Sequence, residues 1–241
     1  MREIITRYGR HNVGFLWLFL EPMMFTLGVS LLWTLAKNIH GSNLPIVAFA
    51  LTGYSSVLVW RNCSNRVVKA VESNLSLMFH RNVKIIDIFA ARMLLELAGT
   101  SASLIVLTFV FSVIGMMEPP DDVLLSLAAW ILLCWFGVAL GLIIGALSER
   151  TEIIERVWHV ILYLLFPISG AGFMLDWLPL SAQKILSWLP MIHGVEMLRH
   201  GYFGSSVHTH EEPQYLLMVN IFLTLMGLAL TRDTGRRIEH G

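Results

Sequence analysis

Charge is what this sequence has least of. Only 14% of its 241 residues are Asp, Glu, Lys or Arg, against about 25% in an ordinary soluble domain. That shortage, set against 56% hydrophobic residues, excludes a disordered chain and argues against an ordinary soluble enzyme. No basic excess exists for nucleic acid, since Lys+Arg and Asp+Glu each number 17. Cysteine is almost missing. Cys63 and Cys134 lie far apart, with no C-x-x-C or Cys/His ligand spacing around either. A disulfide framework is therefore excluded, and both read as small apolar residues. Motifs are missing too. There is no G-x-x-x-x-G-K-[ST], no G-x-S-x-G and no H-E-x-x-H, hence no phosphate-cradling loop or hydrolase signature. No internal repeat or low-complexity tract is visible, and no loop is long enough to bury a core of its own.

What is present is apolar length. Mean hydropathy is +0.67, and a helix needs about 20 apolar residues to cross a bilayer. Six stretches reach or approach that length: 15–36, 43–62, 97–117, 123–147, 157–175 and 213–231. A seventh, 177–198, holds Lys184, Glu196, Pro179 and Pro190 and is not read as a span. With the N-terminus in the cytosol, fourteen of the 17 Lys and Arg residues fall inside and only Lys37, Lys184 and Arg199 outside. The positive-inside rule thus favours six spans with both termini cytosolic. A seventh span would carry Arg232, Arg236 and Arg237 outside and fits worse. The expected fold is an all-α polytopic membrane protein, with residues 1–241 forming one transmembrane domain. The first apolar run is too long for the apolar core of a cleaved signal peptide.

Residues 1–14 read as an interfacial helix. Ile4, Ile5 and Tyr8 share one face, and Arg2, Arg7 and Arg10 take the other, toward anionic headgroups. A flexible basic leader is the alternative. Glu21, followed by Pro22, is the one carboxylate in the first span. It must face protein or a water-filled cavity, or sit shallow enough to reach the interface. Gly137, Gly141 and Gly145 recur every fourth residue in the fourth span, a spacing that lets a neighbouring helix approach closely. Trp17, Trp60, Trp158, Trp33, Trp177 and Trp188 fall near span ends, as an aromatic belt would. A glycan guide would look the same. Ser169-Gly170 lacks a histidine base on a neighbouring span, so an intramembrane serine protease does not fit. His208, His210, Glu211 and Glu212 read as a polar outer loop, and no metal site or catalytic residue is expected.

Two segments stand out. In the cytosolic loop 63–96, Val71, Leu75, Met78 and Phe79 recur at helical spacing, with Glu72, Ser73, Asn74 and Ser76 on the other side. A short amphipathic helix in a loop suits a partner's groove, or lies on the bilayer. In the outer segment, Trp177-Leu178-Pro179 and Trp188-Leu189-Pro190 bracket short helices followed by His193, Glu196 and Arg199. These dip into the membrane under a cover of protein, or lie flat on its outer surface.

These residues resemble the transmembrane subunit of bacterial ABC polysaccharide exporters of the capsular type. The resemblance rests on the arginine-rich start, Glu21-Pro22, the run Phe79-His80-Arg81-Asn82-Val83-Lys84-Ile85-Ile86-Asp87, Ala91-Arg92 with Glu96, and Trp188-Leu189-Pro190 with Glu196, Arg199 and Tyr202. It implies a cytosolic coupling helix within 71–84, where Glu72, Leu75, Met78, Phe79, His80, Arg81 and Asn82 meet the ATPase. It implies re-entrant helices over 177–199, with Trp177, Trp188, His193, Glu196, Arg199 and Tyr202 at an outer gate. A homodimer with two ATPase subunits would export a lipid-linked polysaccharide along the dimer axis, past Glu21, Tyr54, Ser55, Ser56 and Tyr163. The partner ATPase would bind ATP and Mg, and this chain no cofactor. A periplasmic adaptor and an outer-membrane channel would continue the path from the bacterial inner membrane. O-antigen or teichoic acid is an alternative cargo. A secondary transporter or channel should show internal repeats and mid-membrane charges, and neither is seen.

Overall fold

The computed structural model describes residues 20, 23–24, 26–29, 31–32, 44–74 and 83–240. Among them every regular element is helical. In order these are α1 (Ile46–Arg66), α2 (Ile85–Ile114), α3 (Val123–Ser148), α4 (Glu152–Ile168), α5 (Leu180–Leu186), α6 (Pro190–Phe203) and α7 (Pro213–His240). Short 3-10 turns lie at Glu72–Asn74, Leu175–Trp177 and Gly204–Ser206. Among the described residues three helices are long and apolar enough to cross a membrane: α2, α3, and Pro213–Arg237 of α7. They carry the expected spans 97–117, 123–147 and 213–231. Most of the expected first span and interfacial helix lies outside the described residues, including Arg2, Arg7, Arg10 and Glu21.

α3 is the hub, with α1, α6 and α7 packed around it. Its glycine row explains how α1 and α2 come so close. A Cβ on Gly137 would stand 2.9 Å from Trp60 Cα, one on Gly141 2.7 Å from Met93 Sδ, and one on Gly145 2.8 Å from the Phe89 ring. α1 is correspondingly buried without a break from Val47 to Trp60. Gly137→Leu is expected to push α1 off α3 at a cost of about 1–3 kcal/mol. Thermal unfolding in detergent should show a lower midpoint, and an unchanged midpoint would refute the seam.

Three features differ from the sequence reading, each for a physical reason. α2 begins at Ile85, twelve residues before the expected apolar run at 97. Charged residues tolerate a helix here because Arg92 and Glu96 find polar partners on the neighbouring segment. α4 runs over Glu152–Ile168 rather than 157–175. It ends where Pro167 and Gly170, at φ +83°, turn the chain. Trp60 and Trp158 are 1% and 6% exposed and pack in the interior, so neither belongs to an aromatic belt. Trp130 and Trp135 instead donate their indole N–H groups to Ser101 and Thr224 of adjacent helices, each at 2.9 Å.

The two short outer helices are not equivalent. α5 buries none of its residues, and Leu180 and Ile185 are exposed. α6 is buried along nearly all its length, from Met191 to Tyr202. Its backbone is therefore covered by protein.

Candidate functional site

The end of the bundle where α1 finishes and α2 begins holds a polar clamp. The chain leaving α1 turns at Lys69, whose φ is +51°. That residue's N–H donates to Ser148 Oγ (3.2 Å), and the Val71 N–H donates to Glu149 Oε1 (2.9 Å). Val71 is buried in the core shared with Ile85, Phe89 and Met93, so its side chain is not available to a partner. From the other side, Arg92 donates to the Arg66 carbonyl (3.1 Å) and to Ser73 Oγ (2.7 Å). Arg66 Nε in turn meets Glu96 Oε1 at 2.9 Å. Burial pushes the Glu149 carboxyl up, against the Val71 N–H and Lys69, which pull it down. Residues 66–74 are thus held by α2 and the α3–α4 connection together. Of the expected ATPase contacts, only Glu72 is described. It lies exposed in the 3-10 turn, with its carboxylate 3.5 Å from Lys69 Nζ. Leu75, Met78, Phe79, His80, Arg81 and Asn82 lie outside the described residues.

The opposite end is organised by Arg199. It is fully buried on α6 and fans onto the chain that follows α4. Nη1 donates to the carbonyls of Gly170 (2.7 Å) and Phe173 (2.6 Å), and Nη2 to that of Ala171 (2.7 Å). Its guanidinium lies 3.8 Å from the ring centroid of Phe49 on α1, and Phe49 stacks on Trp177 at 5.2 Å. Such charge-assisted bonds and a cation on a ring face are the strong forms of each contact. Gly53 makes the approach possible, because a Cβ there would collide with Ala171 O and Arg199 Nη2. Glu196, one turn back, accepts the N–H groups of Leu175 and His210, each at 3.2 Å. His193 accepts the Glu212 N–H at Nδ1 (3.0 Å), which leaves Nε2 to donate to the Ser187 carbonyl (2.7 Å). The Tyr202 hydroxyl donates to the Glu118 carbonyl.

The structure thus brings Trp177, Glu196, Arg199 and Tyr202 together around α6. Trp188 stands apart, 76% exposed beside Tyr215, whose hydroxyl donates to the Trp188 carbonyl. A cavity of about 660 Å³ opens beside the cradle. Trp177 and Tyr202 line it with Glu118, Asp121 and Asp176, offering ring faces and hydroxyl acceptors. Of the expected pathway residues, Tyr54, Ser55 and Ser56 are buried in α1. Ser56 donates to the Thr52 carbonyl, and Tyr54 meets Phe166 edge-on at 5.9 Å. Tyr163 is 72% exposed on α4, 6.0 Å from Arg61. Within one chain the three α1 residues are packed among helices, whereas Tyr163 faces outward.

Residues of the loop before α7 pair with neighbouring elements. Glu211 meets His200, and His210 Nε2 lies 3.4 Å from Asp176. Among the described residues no three His, Cys, Asp or Glu side chains gather as metal ligands. Burial works to raise the Glu211 carboxyl, but hydrogen bonds from Thr209 and His200 outweigh it and leave it below its ordinary value. Its contribution to stability is therefore complete above the unfolded carboxylate value and is lost as pH falls through the lowered folded one. Acidification into and below the carboxylate range should lower the unfolding midpoint more for the wild type than for Glu211→Gln. Equal slopes would contradict the pairing.

Phe49, Gly53 and Glu149 were missed by sequence reasoning as parts of these assemblies. Phe49 and Gly53 are hidden in a uniformly apolar run. Glu149 sits in a short charged loop whose one signal was its charge.

The family model described as ABC-2 type transporter matches residues 1–203. The chain is 45% identical over 239 residues to the capsule polysaccharide export inner-membrane protein BexB of Haemophilus influenzae, covering 99% of this chain and 90% of that one. It is 44% identical, with the same coverage, to the capsule polysaccharide export inner-membrane protein CtrC of Neisseria meningitidis serogroup A. To the polysialic acid transport protein KpsM of Escherichia coli it is 30% identical over 235 residues, 96% of this chain and 90% of that one.

Proposed function

The chain belongs to the ABC-2 type transporter family, and from that membership we propose that it is the transmembrane subunit of an ATP-driven capsular polysaccharide exporter. It works as a multi-pass protein of the bacterial inner membrane, with six spans and both termini cytosolic. The observation that carries this reading is 45% identity across 99% of the chain to a capsule polysaccharide export protein. The sequence has no phosphate-binding loop of its own, so ATP and Mg belong to a separate ATPase chain, two copies of which serve a homodimer. The exposed apolar face of α4, with Ile153, Val160, Tyr163 and Leu164, suits a second copy at the dimer axis. The lipid-linked polysaccharide passes along that axis, past Glu21 and Tyr163, and onward to a periplasmic adaptor and an outer-membrane channel. α5 and the protein-covered α6 act as re-entrant helices closing the outer mouth.

Disruption of the gene should leave polymer trapped in the cytosol and none at the cell surface, seen by microscopy and glycan extraction. Unchanged surface polymer, or loss of synthesis in place of trapping, would overturn the reading.

A further inference from the structure

We propose that the cleft where α5, the start of α6 and the start of α7 meet binds a zwitterionic phospholipid with a primary ammonium, a phosphatidylethanolamine, from the leaflet at the N-terminal end of α7. Lys184, Ser187, Trp188, His193, Glu212 and Tyr215 line a volume of about 430 Å³. The cleft thus holds one lysine and one carboxylate. Among the described residues neither of these two side chains forms a hydrogen bond or an ion pair. A headgroup made of a phosphate and an ammonium is the complement of that pair. Lys184 offers three donors to phosphate oxygens, and Glu212 accepts from a primary ammonium. A trimethylated choline has no N–H to donate.

The walls of the cleft are fixed by bonds that leave those two side chains out. His193 joins the Ser187 carbonyl (2.7 Å) to the Glu212 N–H (3.0 Å), and its ring meets that of Tyr215 edge-on at 5.2 Å. The Tyr215 hydroxyl donates to the Trp188 carbonyl at 2.9 Å. The depth is also right for a headgroup. The apolar run of α7 that is long enough to cross a membrane begins at Pro213, so Glu212 and Tyr215 stand at its boundary. Trp and Tyr rings favour that level, and Trp188 is 76% exposed. Leu180, Lys184 and Trp188 are spaced four apart and share one side of α5, where Leu180 and Ile185 are also exposed.

The hydrocarbon half of the ligand has a track. Met218, Phe222 and Leu225 are exposed on α7 and continue from Tyr215 at steps of three and four residues, along one face of the helix. From Tyr215 to Leu225 the helix rises about 15 Å, half of the roughly 30 Å hydrocarbon core. An acyl chain of one leaflet therefore lies along the row while its headgroup reaches Lys184 and Glu212.

The test uses the purified full-length chain in mixed micelles holding phosphatidylethanolamine, phosphatidylglycerol and phosphatidylcholine in equal parts, with retained lipid counted by native mass spectrometry on monomer and dimer alike. Wild type should retain phosphatidylethanolamine over each of the others by about threefold or more, the scale of one exposed charge pair. Glu212→Gln should cancel the preference over phosphatidylglycerol, and Lys184→Gln should lower retention of all three lipids. Glu212→Asp with Lys184→Arg should keep most of the preference, which separates charge from folding. Soluble phosphoethanolamine at matched concentration should not displace the lipid, since it has no acyl chains. Equal retention of the three lipids, undiminished preference in Glu212→Gln, displacement by phosphoethanolamine, or loss of lipid from the dimer because a second copy covers the row would each overturn the proposal. Retention is read without transport, so it stands or falls separately from the export function.

Discussion

Arg199→Met is expected to lower the unfolding midpoint sharply and to stop export. The guanidinium is the shared donor for three carbonyls of the chain after α4. Removing it strands buried acceptors and takes the cation from the face of Phe49. Breaking one side of a buried charge arrangement costs about 3–5 kcal/mol, a large share of a typical folding free energy of about 5–15 kcal/mol. Arg199→Lys should recover little. An ammonium is a point donor, and it cannot spread over three carbonyls while lying flat on a ring. Gly53→Ala should reproduce part of the defect from the opposite side, because its Cβ meets Ala171 O and Arg199 Nη2. Since both changes break one cradle, the double variant should be less destabilised than the two single effects added together. Wild-type stability and surface polymer in Arg199→Lys would show that charge alone matters and that the fan of bonds does not.

The helices were legible in the sequence because apolar length is a strong signal, and α2, α3 and α7 fall on three of the six expected stretches. Their ends were less legible. The composition of 85–96 is mixed, and only the tertiary pairing of Arg92 with Arg66 and Ser73 and of Glu96 with Arg66 explains why the helix extends through it. The outer cluster was half visible. Glu196 and Arg199 are charges in an otherwise apolar segment and announce themselves, but their partners are backbone groups and a phenyl ring, which carry no pattern. The tryptophans misled for a related reason. Trp60 and Trp158 fall near span ends in sequence, but Trp60 sits on the buried α1 and Trp158 is one of the two buried residues of α4, so their rings face protein.

The second large effect is expected at the end proposed to face the cytosol, where residues 66–74 are clamped and the segment proposed to meet the ATPase follows directly. Phe79→Asp should leave insertion and folding intact, release the ATPase on purification and abolish export. Burying a Phe side chain contributes roughly 1.5–3 kcal/mol, a decisive fraction for a contact made by one short segment, and a carboxylate in its place would also need desolvation. Arg92→Ala should behave differently. Arg92 bonds to Ser73 and to the Arg66 carbonyl, so its loss frees the base of the lever without touching its tip. The ATPase should then stay bound and continue to hydrolyse ATP, while export falls for each ATP consumed. The two variants thus separate attachment from transmission, and reconstituted vesicles with the ATPase present allow both to be read as co-purification, ATP turnover and polymer transfer. Should Phe79→Asp co-purify stoichiometrically with the ATPase and export normally, the segment is not the contact. If Arg92→Ala keeps the wild-type ratio of transfer to turnover, the clamp is structural only and motion reaches the bundle by another route.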